Sequence, residues 1–220
     1  MKTWLNFSLF TLSSVLLLAV SIHAKQEKKD EKGFTPLFDG KTLQGWEGKK
    51  KFFRVQDGAI VAGFLNARIP NNEFLASEKE YGDFELRFEA KLLGQGNNAG
   101  VQFRSQRISK SHEMIGYQCD IGGWSKGTIW GFLYDESRRR KMLAEAPQDE
   151  LKKHVKPKSE WNKLVVRAEG PRIQIWLNGY QTVDFTEKEK DIPLKGRLGL
   201  QVHGGPPAEC HYRNLRIKKF

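Results

Sequence analysis

From Phe34 to the C-terminus the chain repeats on a two-residue period. Phe84-Glu85-Leu86-Arg87-Phe88-Glu89-Ala90-Lys91-Leu92 alternates apolar and charged residues without a break, and Ile173-Gln174-Ile175-Trp176-Leu177 does so more loosely. Alternation of this kind predicts strands with one buried face, because successive side chains of a strand point to opposite sides. Turn chemistry separates the runs at Asp39-Gly40, Asp57-Gly58, Gly94 to Asn98, Gly122-Gly123, Glu169-Gly170-Pro171 and Asn178-Gly179. The last pair lies between two alternating runs, the strongest short-range hairpin signal. Only Asn71 to Lys79 and Pro147 to Val155 read as short helices, the second with acidic residues early and lysines late, as a helix dipole favours. About a dozen strands with one or two short helices imply an all-β fold of two packed antiparallel sheets. Its length favours a jelly roll over an immunoglobulin-like sandwich of ~100 residues.

The N-terminus breaks this pattern. Lys2, an apolar run from Leu9 to Val20 and the small residues around Ala24 predict a secretory signal over residues 1–24. The run is shorter than the ~20 residues of a spanning helix, the alternative reading, so no membrane span is expected after cleavage. Residues 25–33 form a charged tether, and one domain follows over 34–220. The expected location is therefore the periplasm or the exterior.

Formal charge is +11. Export and scattered lysines argue against nucleic acid as the partner. Arg138-Arg139-Arg140-Lys141 is the one basic cluster, open to reading as a solvated loop or a functional one. Cys119 and Cys210 are the only cysteines. An oxidising compartment permits a bridge between them, and two buried thiols are the alternative.

Candidate chemistry comes from the polar positions of three strands. Val101-Gln102-Phe103-Arg104, Tyr117-Gln118-Cys119-Asp120-Ile121 and Leu198-Gly199-Leu200-Gln201-Val202-His203 each set two polar groups on the face opposite their apolar one. A merely solvated face would carry Lys, Glu, Ser and Thr. Gln102, Arg104, Gln118, Asp120, Gln201 and His203 instead supply the defined donors and acceptors that sugar hydroxyls need. Trp124, Trp130, Phe132 and Tyr134 lie close by in sequence, and an aromatic plate can cover an apolar sugar face, although core packing is the commoner fate. Trp161 and Trp176 are assigned to the core. Paired carboxylates are available among Glu89, Asp120, Asp135 and Glu136. The chain has no Gly-x-Ser-x-Gly elbow, His-Glu-x-x-His, Gly-x-Gly-x-x-Gly or Cys-x-x-Cys.

The opening Phe34-Thr35-Pro36-Leu37-Phe38-Asp39-Gly40-Lys41-Thr42-Leu43-Gln44-Gly45-Trp46 resembles the entry signature of the 3-keto-disaccharide hydrolase family, also described as 3-keto-glucoside 1,2-lyases. The resemblance runs through Tyr81-Gly82-Asp83-Phe84, Asn98 to Arg104, Gly116-Tyr117-Gln118, Glu160-Trp161-Asn162, Trp176 to Gly179, Gly199-Leu200-Gln201 and Tyr212 to Ile217. It implies a concanavalin-like jelly roll and eliminative cleavage of a 3-keto-glycoside. On that basis Asp120 or His203 is the expected base, and Arg104 or a divalent cation held by Asp120, His203 and Glu89 stabilises the enolate. Gln102, Gln118, Gln201, Trp130, Tyr134, Glu136 and Arg138 are the expected substrate contacts. Gln118 stands where many relatives place Glu. A non-catalytic, lectin-like module is the competing reading, since sandwiches host both.

Overall fold

The computed structural model describes residues 31–220, so the expected export signal and residues 25–30 of the tether lie outside the described residues. Thr35–Phe220 forms one compact unit. Its first sheet comprises β1 (Thr35–Pro36), β3 (Phe53–Gln56), β4 (Ala59–Phe64), β6 (Phe84–Gly94), β12 (Asn162–Glu169), β13 (Arg172–Leu177), β14 (Tyr180–Thr186) and β16 (Ala208–Lys219). Their order is β14-β13-β12-β6-β16-β4-β3, with β1 on β16. The second sheet comprises β2 (Trp46–Glu47), β5 (Glu73–Tyr81), β7 (Asn98–Arg107), β8 (Met114–Trp124), β9 (Gly127–Thr128), β10 (Leu133–Glu136), β11 (Lys141–Ala144) and β15 (Gly196–Val202). It runs β11-β10-β8-β7-β15-β5-β2, with β9 on β8, and every pairing in both sheets is antiparallel.

Alternation fixes which face is core. Phe84, Leu86, Phe88, Ala90 and Leu92 of β6 are buried against Val101 and Phe103 of β7, Tyr117, Cys119 and Ile121 of β8, and Leu198, Leu200 and Val202 of β15. Each large apolar side chain so buried contributes about 1.5–3 kcal/mol. A one-residue slip of any of these strands would turn its apolar set to the outside, so the same packing sets the register. A buried polar group also crosses the core: the Tyr212 hydroxyl of β16 reaches the carbonyl oxygens of Gln201 (2.7 Å) and Gly100 (3.1 Å) in the opposite sheet.

Asn178 and Gly179 both have positive φ, +49° and +92°, and close the β13–β14 hairpin as expected. The second expected helix is α1 (Gln148–His154). The first is not a helix. Glu73–Tyr81 is strand β5, paired on both edges by β15 and β2, because a short apolar run flanked by polar residues fits either structure and here the open sheet edges claim it. Cys119 and Cys210 are buried, unpaired thiols on opposite sheets, and burial pushes both up, Cys210 to about 12. Trp161 is not core: it lies outside the first sheet between Lys91 and Arg213, and Trp176 is half-buried on the solvent side of β13.

Candidate functional site

The outer face of the second sheet carries a pit of amides around one carboxyl. Register sets Gln102 of β7 opposite Gln118 of β8, with Gly100 opposite both Asp120 and Gln201. All four polar side chains are buried, at 0–2 % exposure. The Gln118 side chain lies flat across Gly100, where a Cβ would come within 2.5 Å of its Cδ, so only glycine permits that placement. Gln118 Nε2 donates to Asp120 Oδ1 at 2.9 Å and, more weakly, to Gln201 Oε1 at 3.4 Å; Gln102 Nε2 donates to the Met114 carbonyl at 3.3 Å. Beyond these bonds, Asn98 Oδ1, Gln102 Oε1, Gln118 Oε1, Asp120 Oδ2 and Gln201 Nε2 are buried without a hydrogen-bond partner. Each unpaired buried group costs about 1–3 kcal/mol, so five such atoms on one face describe a surface built for a polar ligand.

Walls rise around this floor. Tyr134 of β10 stands opposite Gln118 and meets Trp124 edge-on, ring centroids 6.0 Å apart. Glu136, two residues along the same face, lies close to Gln201, which draws its pKa down without satisfying Gln201 Nε2. The β7–β8 loop folds back over the sheet: Glu113 accepts from Asn72 Nδ2 at 3.2 Å and from the Ser137 hydroxyl at 3.5 Å.

Electrostatics separate the carboxyls. Burial pushes Asp120 well above the usual carboxylate range; the Gln118 hydrogen bond opposes this and the neighbouring Glu136 charge adds to it. Glu136 is raised by burial and by Glu113, against pulls from Ser137, Gln201 and Arg140. Burial and both carboxylates also raise the Tyr134 phenol.

The expected residues divide by strand geometry. Gln102, Gln118, Asp120, Gln201, Tyr134 and Glu136 come together. Arg104 does not join them. A bulge between Phe103 and Gln106 gives it a φ of +48° and turns its guanidinium into the fold, where it donates to Gly82 O (3.0 Å), Gly170 O (2.7 Å) and Asp83 Oδ1 (2.8 Å). Trp130 is 2 % exposed and belongs to the core. Arg138 lies over the buried Tyr117 ring and pairs with Asp135, away from the pit. His203 follows β15 at the rim, with Nδ1 2.7 Å from Gly204 O. Glu89 sits on the first sheet, bound to Arg213. Asp120, His203 and Glu89 therefore do not converge, and among the described residues no group of three His, Cys, Asp or Glu side chains could hold a metal ion. The expected cation has no ligand set in this arrangement.

Sequence reasoning missed Asn98 and Glu113, and it left Arg140 in a basic cluster with no place in the site. Asn98 was within reach, since it shares the parity of Gly100 and Gln102. Glu113 and Arg140 arrive on loops, where no periodicity reports direction.

Two antiparallel sheets face to face, with a polar pit on the outside of one, define a concanavalin-like sandwich protein. A provisionally named glycosyl hydrolase from Parabacteroides distasonis superposes with a TM-score of 0.64 at 22% identity, covering 88% of this chain and 97% of that one. The carbohydrate-binding module CBM66 from Bacillus subtilis superposes at 0.58 and 18% identity, over 80% and 96%. At these identities the likeness shows the fold alone. The family follows from sequence: residues 33–218 match the 3-keto-alpha-glucoside-1,2-lyase-like domain, and the chain belongs to that family. It is 23% identical to the 3-keto-disaccharide hydrolase of Bacteroides thetaiotaomicron over 92% of this chain and 83% of that protein. Family membership supports a carbohydrate-active role.

Proposed function

We propose that this protein cleaves 3-keto-glycosides by elimination, with Asp120 as the base. The observation that carries the reading is Asp120 itself: a fully buried carboxyl of raised pKa, one oxygen held by Gln118 and the other without a partner, set among amides. A base poised nearer neutrality is what abstraction of a carbon-bound proton requires.

The C3 ketone acidifies the C2 hydrogen. Asp120 Oδ2 takes that proton, and the C2–H electron pair becomes a C2–C3 enolate whose oxygen carries the charge. Amide N–H groups fixed on the sheet, Gln201 Nε2 foremost, are preorganised donors for that oxygen. Collapse of the enolate restores the ketone, forms the C1–C2 double bond and breaks the bond from C1 to the glycosidic oxygen. The departing oxygen takes a proton, for which Glu136, kept protonated to higher pH by burial and by Glu113, is an acid on the same face. Addition of water across the double bond completes a net hydrolysis.

The test is turnover of a 3-keto-disaccharide and of its unoxidised parent in deuterated water. Release of sugar from the keto compound alone, with deuterium entering C2, is the expected result. Equal cleavage of both compounds would refute elimination, and binding without cleavage would make the protein a lectin-like module. Residues 1–24 support export to the periplasm or exterior. N-terminal sequencing of the secreted protein should begin at Lys25.

A further inference from the structure

We propose that Trp124 and the shallow cavity beside it form the subsite for the leaving half of the substrate, the second sugar ring of a 3-keto-disaccharide. This assignment rests on the eliminative reading for the identity of the first ring. Ring contact sets the position: Trp124 ends β8, beyond a turn in its path at Gly122 (φ +110°), and its indole meets Tyr134, which stands opposite Gln118, so the tryptophan borders the pit.

Its exposure contrasts with that of the core tryptophans. Trp46 and Trp130 are 7% and 2% exposed, whereas Trp124 is 44% exposed on a face whose centre is buried. The edge-on Tyr134 ring, at 89° to it, fixes the indole's orientation. A ring held at a defined angle and left open to solvent suits stacking on the apolar face of a pyranose.

The cavity next to it, 260 Å³, is lined by Trp124 with Asn97, Thr128, Lys156 and Lys158 among others. Its rim is braced by hydrogen bonds that involve no ligand. Gln148 of α1 clamps Thr128 by accepting from its N–H (3.2 Å) and donating to its carbonyl (2.8 Å), and Lys158 Nζ donates to Gly94 O at 2.9 Å. Between this cavity and Asp120 lies Asn98, whose buried Oδ1 has no partner in the fold. One aromatic plate, braced polar groups at its rim and an unpartnered acceptor toward the base make a place for a second ring beside the first.

Trp124→Ala and Trp124→Phe are compared with the wild type on a 3-keto-disaccharide and on the methyl 3-keto-glucoside, after melting curves establish that both variants fold. Loss of one aromatic contact corresponds to about 10-fold. The expected result is that fall in kcat/KM for the disaccharide with Trp124→Ala, recovery with Trp124→Phe, and a change under about twofold for the methyl glycoside. Equal loss on both substrates, or loss on neither, would overturn the assignment. If the wild type turns over no 3-keto-glycoside, the eliminative reading fails by itself and calorimetry decides the subsite. Binding of the unoxidised parent disaccharide that weakens about 10-fold in Trp124→Ala upholds it, and binding that is absent or unchanged overturns it.

Discussion

Asp120 and Asp135 sit on neighbouring strands of one sheet, both buried, in opposite surroundings. Asp135 accepts from Arg138 Nε at 3.0 Å and from Arg139 Nε, and Arg139 continues to Glu187, which also accepts from the Tyr117 hydroxyl at 2.6 Å. Burial works against ionisation of Glu187, yet those hydrogen bonds hold it down at about 2. Asp120 has one amide donor and an unpartnered oxygen. Burial alone therefore marks no site. A carboxylate enclosed by guanidinium groups is finished as a structure, while one enclosed by under-satisfied amides is finished only by a ligand.

The strongest way to break this contrast is to neutralise the enclosed carboxylate. Asp135→Asn leaves Arg138 and Arg139 facing a neutral amide and should cost about 3–5 kcal/mol in urea unfolding. A cost below about 1 kcal/mol would mean that the cluster is surface-like. The same change at Asp120 should act on chemistry: turnover falls at least ~100-fold. In the wild type kcat/KM should climb with pH as Asp120 loses its proton, and that limb should vanish in Asp120→Asn. Full activity in the variant would remove Asp120 from the mechanism.

Next in size is Arg104→Met, which removes a donor from two carbonyls and leaves Asp83 with the Gly170 N–H in place of a charged partner. It should destabilise the fold by about 1–3 kcal/mol, with kcat little changed in the folded fraction. A selective loss of kcat would return Arg104 to the site.

Glu187 sharpens the comparison through pH. Its pKa is depressed in the fold, so its contribution is complete above its unfolded value near 4.5 and disappears as pH falls toward 2. Glu187→Gln should flatten that part of the stability curve. The smallest effect is on Asp120 in reverse. A raised folded pKa makes the carboxyl a burden once pH exceeds its unfolded value, so Asp120→Asn should raise the melting temperature at neutral pH by about 2–4 °C and leave it unchanged near pH 3.

How much of this was legible in the chain depends on what parity can report. Strict alternation in β6, β7, β8 and β15 revealed the two-sheet fold, and it placed Gln102, Gln118, Asp120 and Gln201 on one face. Parity says which side of a strand a residue takes, not which sheet the strand joins, so Glu89 was grouped with partners across the sandwich. Arg104 obeyed the alternation on paper, but the bulge at its own position reversed it. The apolar stretch in Glu73–Tyr81 looked helical because strand partners far along the chain, such as Leu200 for Leu75, are invisible locally. Glu113 reaches the pit from a loop whose direction depends on Asn72 and Ser137.

The Tyr212 hydroxyl gives the arrangement a mechanical side. By joining β16 to the carbonyls of Gly100 and Gln201, it acts as a strut from the far layer of the sandwich to the underside of the pit. Anything that shifts one layer against the other tugs on the backbone that carries Gln201. By the same linkage, a sugar that tightens this floor should stiffen the sheet behind it, so saccharide binding ought to slow amide exchange in β16, a strand it never touches.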